Sequence, residues 1–316
     1  MTPAVDPGVA PGPSLGVGSR SRAHRGQTFA FGALGFGTML IVAPVLWFFG
    51  YVVYHGASQI SWTFLTQPPN AIDASGGIFP AIVGTLYLMV GTVLIAMPLG
   101  IAGAIYLTEY AGHSPIVRLI RLAIVNLAGV PSIVHGLFGL GFFVLFVGGS
   151  IDAFVLHASR PVWGQPCILW GCCTLAVVIL PIIITSTEEA LLAVPSSFRE
   201  ASLGLGATKW HTIRRVVLPA ALPGVLTGAI LGVGRAAGET APVMITCAAS
   251  FMPTLPRGLN DQAMLLPYHL YFVVTQVPNP SLGLQSGIAL VLIALVISIN
   301  ASGIFLRMRA RRARKW

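Results

Sequence analysis

Five long stretches of this chain carry no Asp, Glu, Lys or Arg: Gly26 to Ile72, Ala74 to Thr108, Leu122 to Ile151, Pro161 to Thr187 and Gln262 to Leu306. Several exceed the roughly 20 apolar residues that a helix needs to cross a bilayer. Charged residues are 9% of the chain and hydrophobic ones 55%, whereas a soluble domain carries roughly a quarter charged residues. Water is therefore not its main solvent. The pattern predicts an all-α membrane protein with six spans, at about 29–53, 79–107, 122–148, 167–187, 222–250 and 284–306.

The first apolar run is too long for a signal-peptide core and lacks a small-residue cleavage site, so it is read as a retained span. Residues 1–28, rich in Pro and Gly through Pro13, are expected to form a disordered cytoplasmic segment. A domain of six spans would then occupy 29–306, and 307–316 a basic tail. With six spans both termini share a side, and 15 of the 18 Lys and Arg residues fall on it; only Arg160 and Arg257 lie opposite, and Arg235 is inside a span. Positive charge is retained on the cytoplasmic side of a plasma membrane, so both termini are expected there. The formal net charge of +9 is accounted for by this asymmetry. The tail RMRARRARKW reads as an anchor on lipid headgroups, with no call for nucleic acid. Cys167, Cys172, Cys173 and Cys247 lack the paired spacing of a zinc site and read as small packing residues.

Between the fourth and fifth spans, at about 189–220, lies the one cytoplasmic loop long enough to fold. Ser197-Phe198-Arg199-Glu200 has the form of a capping box and predicts a short helix. Gly204 and Gly206 permit a turn, Lys209 to Val217 predicts a second short helix, and Pro219 and Pro223 mark entry into the membrane. By itself this could be a plain surface hairpin. No G-x-x-x-x-G-K-[ST] phosphate loop occurs in the chain, so any ATP would be hydrolysed by another subunit.

Glu200-Ala201-Ser202, Gly206 and Val216-Val217-Leu218-Pro219 resemble the EAA loop of ABC-importer permeases, usually Glu-Ala-Ala, Gly, then Ile-x-Leu-Pro. The departures are Ser202 for Ala and Val216 for Ile. The resemblance implies the type I importer fold, with this loop as the coupling helix that docks on the ATPase. Glu200, Ala201, Gly206, Leu218 and Pro219 would belong to that coupling element, and Gly206 would let the lever turn sharply.

Three more stretches are similar to the phosphate-importer permeases of the PstA type: Gly77 to Thr85, Leu127 to Gly139 including Pro131 and Ser132, and Gly234-Arg235-Ala236-Ala237-Gly238-Glu239-Thr240-Ala241-Pro242. The likeness covers about residues 70–306. It implies translocation of inorganic phosphate by alternating access and no catalysis on this chain. No cofactor is expected here; ATP and Mg would reside on a homodimeric ATPase of the PstB type. The other expected partners are a second permease of the PstC type, an extracytoplasmic phosphate-binding protein and membrane lipid. His135 is not explained by the resemblance, and its role is left open.

Physical reasons for a transport site stand beside the likeness. Pro131 removes a backbone donor, and Gly129 and Gly136 admit close neighbours, so the third span is expected to kink. Such residues also serve plain packing. Counted from Pro223, Arg235 is expected near the middle of a continuous fifth helix, where a charge costs about 2.5–3.5 kcal/mol on insertion scales. Glu239, four residues on, shares its helix face and can pair with it. Two roles are open. The pair could brace the assembly without meeting substrate, or Arg235 could offer its donors to passing phosphate oxygens while Glu239 holds it between passages. Thr240, Pro131 and Ser132 would join that pathway. Glu239 could also accept the proton that phosphate carries at neutral pH and sulfate lacks.

Glu109, His113, Glu188 and Glu189 fall at span ends and read as solvated or loop-bracing. Asp73, Asp261 and Gln262 fall in outer loops that a binding protein could touch. The competing readings are a permease for another oxyanion such as sulfate or molybdate, a passive anion channel, and a polytopic membrane enzyme. A channel has no use for a coupling loop. Against an enzyme stands the lack of any His-rich, paired-acid or Ser/His/Asp constellation at membrane depth.

Overall fold

The computed structural model describes residues 17–70, 76–112 and 114–312. Asp73, His113, the first 16 residues of the segment expected to be disordered, and the last four of the tail lie outside them. The chain divides into two compact units, 1–54 and 55–316. The first is built on α1 (Val17–Gly56), a helix that begins inside the segment expected to precede the first span. Most of its apolar side chains from Phe29 to Tyr54 are exposed, as suits a helix whose solvent is lipid.

The regular elements among the described residues of the second unit are helices, joined by loops that carry two isolated bridges, Pro69 with Gly76 and Ala248 with Ala263. In order it contains α2 (Trp62–Thr66), α3 (Phe79–Ile105), α4 (Pro115–Ala128), α5 (Ser132–Phe138), α6 (Ile168–Leu192), α7 (Ser196–Gly204), α8 (Lys209–Thr212), α9 (Leu218–Gly238), α10 (Ala241–Thr246), α11 (Leu266–Gln276) and α12 (Leu282–Arg312). Wider π-helical turns extend several of these: Tyr106–Tyr110 after α3, Gly139–Gly148 and Ile151–Leu156 after α5, and Ile213–Val217 between α8 and α9. Among the described residues of the whole chain, six helical stretches are long and apolar enough to cross a membrane: 29–59, 79–110, 132–156, 168–192, 209–238 and 282–309.

The centre is α6, packed against α3 on one side and α9 on another. Leu175, Ile179 and Ile183 are fully enclosed. Close approach is set by small residues facing it: a Cβ added at Gly100 would lie 2.5 Å from Ile183, and one at Gly228 only 1.7 Å from Ser186. Lipid tails are as apolar as leucine, so helices in a membrane associate through such fit rather than by escaping water. The first N–H groups of α6 find external acceptors: Cys167, Ile168 and Leu169 donate to the carbonyls of Thr246, Asp261 and Leu259 at 2.9–3.0 Å. Asp261 in turn accepts from the Arg257 and Gly258 amides at 2.7 and 3.0 Å, a turn-stabilising role within its own loop.

Two expected spans are drawn differently. The third, expected at about 122–148, starts at Ser132 and runs to Leu156. Residues 115–128 form the separate α4, which ends at Gly129, and Pro131 takes an extended ψ of 138°. The fifth, expected at about 222–250, runs as one helix from Lys209 and stops at Gly238. Pro242 explains the stop, because its ring would strike the carbonyl four residues back, at Gly238, if the helix continued. Glu239 leaves the helix with ψ 124°, and α10 begins after Thr240.

The loop between α6 and α9 also departs from expectation. α7 is capped by Pro195 rather than Ser197, with no side-chain cap bond. The extended Pro195 starts the helix two residues early, so Ser197 is already helical and the capping box does not form. The second arm is no isolated helix either: Lys209 leads through the π turn straight into α9 past Pro219. Widening over Ile213–Val217 relieves the contact that a proline ring makes with the turn before it.

Candidate functional site

Arg235 occupies the last turn of α9, four residues before the break, and not the middle of a continuous helix. That position lowers the cost expected for it, since the free carbonyls of a helix C-terminus carry partial negative charge and favour a cation. Its Nε lies 3.3 Å from Glu239 Oε1, and the side chains are 36% and 13% exposed. This is the only hydrogen bond formed by the Arg235 guanidinium among the described residues, and most of its donors are unengaged. The glutamate belongs to the interrupted backbone between α9 and α10, the kind of irregular segment tolerated at membrane depth only where protein or a water-filled cavity surrounds it.

The break in the third span meets the break in the fifth. α5, which starts just after Pro131, packs directly on α10, which starts just after Thr240. Gly136 makes the approach possible, for a Cβ there would lie 2.9 Å from Pro242 Cα and 3.2 Å from the Ala241 oxygen. Pro131, Ser132, Glu239 and Thr240 therefore lie at the starts of, or just before, two helices in contact. Among the described residues no hydrogen bond links the Ser132 or Thr240 side chain to the ion pair. His135 is buried next to this contact, with Nδ1 3.4 Å from the Pro131 oxygen and Nε2 without a partner.

The loop between α6 and α9 forms a compact hairpin. Gly206 has φ +82°, with nothing within 4 Å of an added Cβ, so backbone angle alone selects glycine there. Ser202 Oγ and Thr212 Oγ1 lie 2.9 Å apart and tie α7 to α8. Ile213 and Val217 are buried in a cluster with Ala104, Ile105, Leu107, Leu191 and Val225. Leu218 and Pro219 are half-buried on the way into α9, whereas Glu200 and Ala201 are exposed, as are Leu203, Leu205 and Trp210. An exposed apolar group beside acidic and small residues is a surface suited to a protein partner.

The family described as binding-protein-dependent transport system inner membrane component matches residues 96–314. The chain belongs to that family. This permease is 34% identical over 281 residues to the probable ABC transporter permease protein YqgI of Bacillus subtilis, covering 85% of this chain and 90% of that one. It is 33% identical over 279 residues to the phosphate transport system permease protein PstA of Mycobacterium leprae, covering 87% and 86%. Its fold matches a chain of a bacterial ABC transporter involved in alginate import, with TM-score 0.65 at 13% identity over 92% of this chain and 98% of that one. The expected type I importer permease fold, and the resemblance to PstA-type permeases, are thereby supported.

Sequence reasoning read Glu109 and Glu188 as solvated or loop-bracing without naming partners, and the structure supplies them. Arg199, read only as an orientation signal, donates to Glu109 and to the carbonyls of Leu191 and Val194. Arg121 pairs with Glu188 and donates to the Leu107 oxygen at 2.9 Å. Asp152, near the far end of the third span, accepts the amides of Val162, Trp163 and Gly164 at 2.7–3.0 Å and fixes the following loop. Each was legible as a charge at a span end, but its partner was not. All four cysteines are free, and three of them are buried, in keeping with packing roles.

Proposed function

We propose that this permease is the membrane subunit of an ATP-driven importer of inorganic phosphate. The carrying observation is the Arg235–Glu239 pair at a helix break, set against a second broken span within the stretch that resembles PstA-type chains. An arginine whose donors are mostly unengaged can take two oxygens of a tetrahedral anion in its planar fork. Glu239 holds it by one weak contact and can release it. Thr240, Pro131 and Ser132 line the same path in this reading.

The cytoplasmic coupling loop, through Glu200, Ala201, Gly206, Leu218 and Pro219, receives the stroke of a separate homodimeric ATPase of the PstB type, which carries ATP and Mg. A second permease of the PstC type completes the channel, and an extracytoplasmic binding protein delivers phosphate. Both termini lie in the cytoplasm. Access alternates as the loop tilts the spans, and no bond is made or broken on this chain.

The test is uptake of labelled phosphate into vesicles containing both permeases and the ATPase, with ATP inside and phosphate-loaded binding protein outside. Uptake that requires ATP and the binding protein supports the reading. Uptake of sulfate or molybdate in place of phosphate moves the assignment to that oxyanion. Downhill anion flux without ATP overturns it in favour of a channel.

A further inference from the structure

α7, the arm of the coupling loop that leaves α6, buries none of its side chains. Phe198, 38% exposed, lines an apolar groove with residues of α6 and α9, and beside that partial apolar contact α7 has a polar hold. Arg199 supplies it: Nε and Nη2 reach Glu109 Oε1 at 3.1 and 2.9 Å, Nη1 reaches the Val194 oxygen at 2.8 Å, and Nη2 reaches the Leu191 oxygen at 2.8 Å. One planar group thus joins α7, the end of α6 and the turn that closes α3. The side chains of Arg199 and Glu109 are only 22% and 10% exposed.

The other arm lands on the same turn. Lys209 donates to the Glu109 carbonyl oxygen and lies 4.8 Å from the centre of the Tyr110 ring. That carbonyl is available because the chain has just left the helix, where terminal oxygens lack internal donors. Both arms, locked to each other through Ser202 and Thr212, therefore converge on Glu109–Tyr110. α6 and α9 are joined to the hairpin by the chain itself. α3 is not; Glu109 is 90 residues from Arg199. A displacement of α7 reaches the end of α3 directly through this contact, beside the apolar packing of Ile213 and Val217 with Ala104, Ile105 and Leu107.

We propose that Arg199 and Glu109 are the positioning pair that transmits the coupling loop's movement to α3, a role beyond the motif residues that face the ATPase. The proposal rests on the reading of an ATPase-driven importer. Neither residue touches substrate or nucleotide. Glu109→Gln keeps the side-chain shape and an acceptor while removing the charge. The double exchange Arg199→Glu with Glu109→Arg restores opposite charges in reverse.

The experiment uses the full complex in vesicles, measuring phosphate taken up per ATP hydrolysed, together with the thermal midpoint of the purified complex. In Glu109→Gln, hydrolysis should stay within about twofold while uptake per ATP falls about tenfold, the size of an ordinary coupling energy between sites. Arg199→Lys, which keeps charge without the fork, should fall between that variant and the parent. The double exchange should recover uptake per ATP relative to either single change. Unchanged uptake per ATP in Glu109→Gln overturns the proposal, as does a parallel loss of hydrolysis, uptake and thermal midpoint, which marks a purely structural contact. Absence of binding-protein-stimulated hydrolysis in the unmodified complex overturns the importer reading, and this proposal with it.

Discussion

The permease holds two arginine–glutamate pairs that differ in nearly every physical respect. Arg199–Glu109 joins residues 90 apart, through two contacts of 3.1 and 2.9 Å to one carboxylate oxygen, and the arginine has two carbonyl acceptors besides. Arg235–Glu239 joins residues four apart through one contact of 3.3 Å, with the arginine more than a third exposed. The first guanidinium engages four of its five N–H donors and is nearly saturated, whereas the second engages one. A nearly saturated, mostly buried pair holds elements in place, and removing one partner strands the other. An unsaturated one at a break in the backbone has capacity left for a ligand. The difference teaches that the intramembrane arginine, which attracts notice in the sequence, is the looser of the two.

The largest effect should come from breaking the nearly saturated pair. Arg199→Gln leaves Glu109 buried without its cation and frees two helix-end carbonyls, so a loss of about 3 kcal/mol is expected. It should appear as a lower thermal midpoint of the solubilised permease and a poor yield of assembled complex. If Arg199→Gln melts with the parent while Arg235→Gln does not, the assignment of structural and ligand-facing arginines is reversed.

Arg235→Gln should assemble and bind the ATPase, yet lose phosphate uptake by about 100-fold, the worth of a strong charge-assisted hydrogen bond to the anion. Failure of that variant to assemble would put the pair in the interface between subunits instead. Glu239→Gln is a smaller perturbation. The parent pathway should prefer phosphate over sulfate by about tenfold if one charge-assisted hydrogen bond to the phosphate proton discriminates them, and the variant should erase that preference while retaining transport. Unchanged sulfate rejection in an active Glu239→Gln complex would remove Glu239 from selectivity.

What the sequence disclosed and withheld follows the same division. The number of spans is encoded in long uncharged runs, and the pairing of Arg235 with Glu239 in a spacing of four, so both were readable locally. The left-handed turn at Gly206 was readable because a loop between two short helical segments needs such an angle. The ends of the third and fifth spans were misplaced because hydropathy does not register Pro131 or Pro242, whose effect is steric and acts on a carbonyl four residues earlier. Arg199, Lys209 and Arg121 were each readable as positive charges on one side, but their acceptors are distant carboxylates and backbone oxygens at helix ends. Those acceptors come within reach only once the fold has brought α3, α4, α6 and α7 together.

The smallest effect distinguishes backbone angle from contact within the tightly held region. Gly204 and Gly206 both have open space where a Cβ would go, but only Gly206 has positive φ. Alanine at 206 must adopt a left-handed conformation and should cost about 1 kcal/mol. At 204, inside α7, it should gain about 0.5 kcal/mol by restricting the unfolded chain. Thermal midpoints of the two variants should therefore move in opposite directions, with Gly206→Asn falling between Gly206→Ala and the parent because asparagine tolerates this region better. If Gly206→Ala matches the parent in both melting and uptake per ATP, the turn is not held to its angle. The hairpin would then be compliant, and a rigid path from α7 to α3 through Arg199 would lose its mechanical basis.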